Sequence, residues 1–376
     1  MRRVNTDQLR PGMIIAEDIY APNGQLIIAK GTKLTDATLE QLSRNAVLSS
    51  RIDDSVKTAA ASSQKREEDI YKGDDIPGFT SNLPENLREA RAKQIKEQKK
   101  SYTEGLNFFQ ISINNLVVKN TDMDVDTIID QTLALLGSNG KGTNILQMLV
   151  FMQEYDSDVY AHSVNVSLLC NMLAHWLGYS EEDCRLAAAC GMFHDIGKLT
   201  IPEEILQKPG PLTPEEKELV NTHTEKGYQM LKDHPIHESI KLSALLHHEN
   251  CDGTGYPYKL PGDQIDPYAK LVTICNIYDA MTSNRPYRKA ISPFDVIDYF
   301  EKKGLQKFDT RSILLFLENT INTYLNCPVR LSNGMIGYVV FINRRKLGRP
   351  TVQCGTEFID LAKREDLRIM ELLPAI

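Results

Sequence analysis

Five of the eight histidines form a recognisable series: His162, His194, His223, His247 and His248. Histidine is the commonest metal-binding side chain, and carboxylates supply the negative charge that holds hard divalent ions. The most specific segment is Phe193-His194-Asp195-Ile196-Gly197-Lys198. Adjacent His and Asp at the end of a helix can reach one metal and bridge to a second. A lone His-Asp pair is a weak signal because it arises often by chance. Followed by Gly-Lys, and accompanied by His162, His223 and the His247-His248 pair, it becomes a strong one. The chemistry these residue types fit is two-metal hydrolysis. Two divalent ions about 3.5–4 Å apart share a hydroxide that attacks phosphorus, and both stabilise the developing charge. Lys198 would neutralise phosphate or help protonate the leaving oxygen. Nitrogen-rich ligation with carboxylate favours iron, manganese or zinc over magnesium.

Helices must position these residues. The apolar run Leu186 to Phe193 anchors the helix that ends at His194, and the pattern from about Tyr102 to Leu305 is mainly helical, as in Val166, Leu168, Leu169, Met172 and Leu173. Pro202, Pro209, Gly210, Pro211 and Pro214 predict a loop before a helix starting near Glu215. Before this region, Gly12–Ala16 and Gln25–Ala29 flank Pro22-Asn23-Gly24, a hairpin signal, and Thr35 is placed to cap a short helix from Asp36 to Leu42. Residues 58–100 are polar and read as solvated helix or linker. At the far end, Val329–Leu331, Gly337–Ile342 and Pro350–Cys354 have strand character. The expected fold is therefore mainly α, a helical bundle flanked by small α+β or β units at both ends. The expected segments are residues 1–57 (α+β unit), 58–124 (linker and helix), 125–310 (helical catalytic domain) and 325–376 (β-rich unit).

A length of 376 residues predicts two or three domains, and 41% hydrophobic with 25% charged residues is an ordinary globular mix. The formal charge of -7 argues against a nucleic-acid coat protein, so an anionic substrate must be met by local positive charge or by metal ions. Seven cysteines without a C-x-x-C pair, several inside apolar runs, read as reduced, buried thiols of a cytoplasmic protein. Neither a signal-peptide core nor a run of about 18 apolar residues is visible. His175, His234, His237 and the Arg344-Arg345-Lys346 cluster read as structural or solvated.

The chain resembles the HD-GYP subgroup of the HD phosphohydrolases over roughly residues 125–310. The matching text is Asp158 to Ser163, His194-Asp195-Ile196-Gly197-Lys198, His247-His248-Glu249, Asp252-Gly253-Thr254-Gly255-Tyr256-Pro257 and Asp279 to Lys289. The resemblance implies a bacterial phosphodiesterase that opens cyclic di-GMP, using two or three divalent ions. It makes His162, His194 and Asp195 ligands of one metal, with Asp195 bridging to a second ion held by His223, His247 and His248. Asp158 matches an acidic position that in some members reaches a further metal. Lys198 matches the catalytic lysine, and Arg285 and Arg288 match a basic pair contacting the dinucleotide. Tyr256 and Pro257 line the substrate cleft, and Asp279 is grouped with these substrate-side residues.

One position departs from the pattern. Asn276 stands where the family has an aspartate that completes the first metal's coordination, and its amide oxygen is a neutral, weaker donor. Asp279 cannot simply take over, because three residues along a helix shift direction by about 60° and height by about 4.5 Å. Asn250 and Cys251 also replace a basic residue and an aromatic. Three readings follow: an active cyclic di-GMP phosphodiesterase, a degenerate receptor that binds the dinucleotide without efficient turnover, and a hydrolase of another nucleotide. The expected partner is the cyclic dinucleotide rather than a nucleic-acid polymer or a membrane. The helical segments between residues 102 and 136 are compatible with a homodimer contact as well as with core packing.

Overall fold

The computed structural model describes residues 2–5, 12–20, 26–35, 38, 49–52, 85–118, 125–135, 158–284 and 290–373. They belong to two compact units, Met1–Asn139 and Gly140–Ile376.

In the first unit, strand Arg2–Asn5 pairs antiparallel with Ser49–Ile52, and Ile19–Tyr20 pairs with Leu26–Ile28. The second pair flanks the expected Asn23-Gly24 turn, which lies outside the described residues. The strand expected at residues 12–16 is not the hairpin partner. Residues 12–15 instead pair with 31–34, through an Ile14–Lys33 bridge and backbone bonds such as Ile15 N to Thr32 O at 3.0 Å, and the Asp18 carboxylate accepts the Lys30 N–H at 2.6 Å. Thr35 Oγ1 accepts from Thr38 N at 3.3 Å, an N-cap contact, while the rest of the helix expected at 36–42 lies outside the described residues. The described part of the polar stretch enters the helix Glu85–Val118, which buries Tyr102, Leu106, Phe109 and Ile113 at helical spacing and packs against Val125–Leu135.

The second unit is built on three helices. Val159–Trp176 is capped by Asp158, and Glu181–Phe193 by Ser180 with three acidic residues in its first turn. Pro267–Thr282 starts from Asp266 with proline at its first position, where the missing N–H costs nothing. The small residues Ala187, Ala188 and Ala189 are fully buried, which suits the tight packing of this helix on Val159–Trp176. Between them run a 3₁₀ turn, Ile196–Thr200, and the helices Pro214–Asn221, His223–Leu231 and Glu238–Leu246. Pro214–Asn221 begins one residue before the expected position, on a capping box between Thr213 and Glu216. The proline-rich stretch before it, expected as loop, contains one helical turn, Glu203–Leu206.

Helices Pro293–Lys307 and Thr310–Thr323 lead into a five-stranded antiparallel sheet. Its order is Glu357–Asp360, Thr351–Cys354, Ile336–Phe341, Pro328–Leu331, Ile369–Leu372. The two outer strands were not read from the sequence. The loop between strands Ile336–Phe341 and Thr351–Cys354 is tied to helix Pro293–Lys307, and the end of Thr310–Thr323 is tied to Pro267–Thr282. Glu301 accepts the N–H groups of Leu347 and Gly348 at 2.8 and 3.1 Å, and the buried hydroxyls of Tyr278 and Tyr324 hydrogen-bond at 2.8 Å. None of the seven cysteines forms a disulfide, and Cys170, Cys190 and Cys275 are buried as expected. No helix among the described residues is long and apolar enough to cross a membrane.

Candidate metal centre

The five histidines and Asp195 come from four segments and converge on one point. His162 lies on Val159–Trp176, His194 and Asp195 follow Glu181–Phe193, and His223 opens His223–Leu231. His247 and His248 follow Glu238–Leu246. All but His248 are buried, and His248 is half-buried. Two groups result, each with one donor atom per residue within 4.8 Å of the others: His162, His194 and Asp195, and then Asp195, His223, His247 and His248. Asp195 belongs to both. Its Oδ2 faces His162 Nε2 (3.5 Å) and His194 Nε2 (3.3 Å), and its Oδ1 faces His223 Nε2 (3.3 Å) and His247 Nε2 (3.5 Å).

The far sides of the rings fix which nitrogen carries the proton. His194 Nδ1 lies 2.8 Å from Gly191 O, His223 Nδ1 2.6 Å from Val220 O and His247 Nδ1 2.9 Å from Ser243 O. A carbonyl only accepts, so each Nδ1 is the N–H donor and each neutral ring presents a bare Nε2 to the centre. Each carbonyl belongs to the last turn of its helix, so three negative helix ends face the cluster and favour a cation there. Burial pushes the His247 imidazolium pKa down to about 3 and that of His248 well below the ordinary value. Burial opposes ionisation of Asp195, but the adjacent His194 imidazole and the Lys198 ammonium outweigh it and hold the carboxylate well below its usual range.

These groups fit divalent ions on two counts. His223 Nε2 and His247 Nε2 stand 3.2 Å apart, two lone pairs face to face, a contact that a shared cation would make favourable. His194 Nε2 and Asp195 Oδ1 are buried without a hydrogen-bond donor, which is costly for polar atoms unless something else coordinates them.

His162 differs from the other rings. Its Nδ1 donates to Asp279 Oδ2 at 2.6 Å, and Asp279 Oδ1 accepts from Asn165 Nδ2 (2.9 Å) and Ser283 Oγ (3.0 Å). On the other side, His162 Nε2 lies 2.9 Å from Asn276 Oδ1. Asp279, expected among the substrate contacts, is instead 1% exposed and committed to holding this ring. The three-residue offset that keeps it from replacing Asn276 puts it behind the histidine, in a carboxylate–histidine pairing that orients metal ligands. Asn165 and Ser283 were not picked out in the sequence. Their signal is polar residues at i+3 from His162 and i+4 from Asp279, on otherwise apolar helix faces.

Lys198 Nζ donates to Asp195 Oδ2 at 2.5 Å and is 18% exposed, at the edge of the cluster. Gly197 beside it admits no side chain: a Cβ there would stand 1.9 Å from His223 O, so the His-Asp turn sits directly on the helix that His223 opens. Tyr256 stacks on His248 with centroids 4.5 Å apart and planes at 14°, and Pro257 follows in the same loop. Burial and the nearby Asp195 push the Tyr256 phenol far up, so it stays a hydroxyl. Asp158 is outside both ligand groups, and its Oδ1 takes Ala161 N at 2.7 Å as a helix cap. Arg285 and Arg288 lie outside the described residues.

Residues 144–311 match the HD domain family. That segment is of HD-domain type, and the relatives it resembles support the HD-GYP subgroup. Over 212 residues it is 37% identical to a cyclic di-GMP phosphodiesterase of Pseudomonas aeruginosa, covering 56% of this chain and 51% of that one. A 3'3'-cGAMP-specific phosphodiesterase of Vibrio cholerae shares 31% over 161 residues, 42% of this chain and 31% of the relative. The chain spans about half or less of the length of these curated relatives. Among solved structures, an HDG"Y"P protein from Bdellovibrio bacteriovorus superposes with a TM-score of 0.50 at 17% identity, covering 85% of this chain and 99% of that one. That likeness bears on the fold. The helical HD domain with a small antiparallel sheet agrees with the mainly α architecture expected from the sequence.

Proposed function

We propose that this chain hydrolyses a phosphodiester of a cyclic dinucleotide, with cyclic di-GMP opened to the linear dinucleotide, and onward to GMP, as the leading reaction. The observation that carries the proposal is the convergence of four bare histidine Nε2 atoms on both oxygens of a single ionised carboxylate, with a lysine at the rim. His162, His194, Asp195 and Asn276 would hold one ion, and Asp195, His223, His247 and His248 a second. Iron or manganese suits this nitrogen-rich set. Bound divalent ions supply Lewis acidity toward a phosphoryl oxygen and acidify water for attack on phosphorus. The residues around them do the rest. With one carboxylate among all these ligands, the loaded site is strongly positive and attracts a phosphodiester despite the chain's net charge of -7. Lys198 sits where its ammonium can meet a phosphate oxygen or pass a proton to the leaving oxygen. Tyr256, a hydroxyl on a ring stacked against His248, forms one wall, and Arg285 and Arg288 are assigned the dinucleotide's phosphates or guanine.

The test is incubation of purified protein with cyclic di-GMP and manganese or ferrous iron, with products separated by chromatography. A panel including 3'3'-cGAMP ranks the substrates, since names among the relatives include both kinds of phosphodiesterase. One observation favours a second reading, the neutral Asn276 oxygen beside His162. If no metal supports turnover while the dinucleotide still binds tightly, the chain is a receptor.

A further inference from the structure

The Asp252–Pro261 loop carries Tyr256 and Pro257, yet it contains no helix or strand to hold it in place. Its anchor is Glu249, the residue after His247-His248. Glu249 is 1% exposed. Its Oε1 accepts the N–H groups of Tyr258 at 2.6 Å and Lys259 at 3.0 Å, and its Oε2 accepts that of Leu260 at 3.0 Å. Charge-assisted bonds to three successive backbone donors are a strong restraint on an irregular segment. The three donors meet one carboxylate around a left-handed residue, Lys259, at φ 57°. The loop also lies directly on the ligand pair. A Cβ on Gly255 would stand 2.4 Å from Glu249 Cα and 2.5 Å from His248 O, and Tyr256 N–H donates to His248 O at 3.1 Å. The rings of His194, His223 and His247 are set by helix carbonyls, whereas the ring of His248 lies against Tyr256.

We infer that Glu249 is a positioning residue that couples His248 to the substrate-facing loop. By fixing the loop it fixes Tyr256, and by fixing Tyr256 it sets the plane of a proposed metal ligand. The loop is then a standing wall of the cleft, present before substrate arrives. This inference rests on the reading of His248 as a ligand, and its readouts do not require turnover.

The experiment uses the full chain loaded with manganese and compares it with Glu249→Gln, which removes the charge and places an amide where acceptors are needed. Trypsin cleavage after the exposed Lys259 reports loop opening, and bound manganese reports the ligand set. The expected result is cleavage faster by about tenfold or more, because proteolysis tracks the population of the opened loop. Manganese at the His248 position should weaken in parallel, and the KM for cyclic di-GMP should rise. A folded Glu249→Gln protein with unchanged cleavage, or with a looser loop but unchanged manganese binding, would overturn the coupling. Should Glu249→Gln fail to fold, Tyr256→Leu removes the stack and leaves the three carboxylate bonds. It should weaken manganese binding while cleavage after Lys259 stays near the unsubstituted rate, and unchanged manganese affinity there also overturns the inference. If manganese responds as expected but the unsubstituted protein never turns over cyclic di-GMP, the proposed activity fails and the coupling stands.

Discussion

His162 has a different chemical partner on each ring nitrogen. Asp279 accepts the hydrogen bond of Nδ1–H, so Nε2 is left to meet Asn276 Oδ1 and Asp195. Two substitutions separate the roles of these flanking residues. Asn276→Asp adds a charged donor and is expected to tighten manganese at the proposed first position by roughly 10–100-fold, the range over which ligand surroundings move metal affinity. Titration calorimetry on the two proteins reads this directly, and equal affinities would remove Asn276 as the source of weak binding. Asp279→Asn should act in the opposite direction by a similar factor, because an amide no longer demands a proton on Nδ1 and the ring loses its fixed tautomer. If Asp279 were instead a substrate contact, that variant would raise KM and leave metal affinity alone.

At the scale of elements, the Pro267–Thr282 helix does two jobs. One face presents Asn276 and Asp279 to the histidine cluster, and between them Tyr278 points toward Tyr324, where the chain leaves the last helix for the sheet. Tyr278→Phe leaves the buried Tyr324 hydroxyl without this partner and should cost about 1–3 kcal/mol in urea unfolding. The double replacement of Tyr278 and Tyr324 by Phe should recover most of that loss, because no orphan hydroxyl remains. Equal destabilisation in the single and double variants would assign the effect to packing. These elements differed in how openly the sequence declared them. The helices of the second unit were legible because caps such as Thr213 with Glu216 and apolar spacing agree. The outer strands Glu357–Asp360 and Ile369–Leu372 were not, since Glu357, Phe358, Met370 and Glu371 are exposed and give no clean alternation. In the site, residue types and order announced the histidines, but the partner of His162 Nδ1 is 117 residues away and only the packed helices reveal it. Glu249 was visible in the motif, whereas its work on a loop's backbone leaves no trace in side-chain chemistry.

Across the whole molecule, a cluster of buried neutral histidines makes stability depend on acidity well above the usual carboxylate range. The ordinary histidine pKa is about 6.5, and burial holds His247 at about 3 in the folded chain. Between these values the unfolded chain binds a proton that the folded chain refuses. The folded state therefore keeps its full stability above about pH 6.5 and loses it as pH falls toward 3. His248, lowered in the same direction, adds to the loss, and Asp195 contributes its own only below the unfolded carboxylate range. For protein treated with chelator, the urea midpoint at pH 5 should lie clearly below that at pH 7.5. Coincident midpoints would mean that these rings are not buried in the neutral form.

Asp195 remains as the one carboxylate common to both ligand groups. Under the proposed function, its two oxygens tie one ion's residence to the other's, so the protein behaves as a coincidence detector for its metal. Catalysis would follow the joint occupancy and rise more steeply than the first power of free manganese when the supply is scarce. A rate measured across a buffered manganese series, plotted on logarithmic axes, should approach a slope of about two at its lower end. A slope of one throughout would mean a single ion suffices.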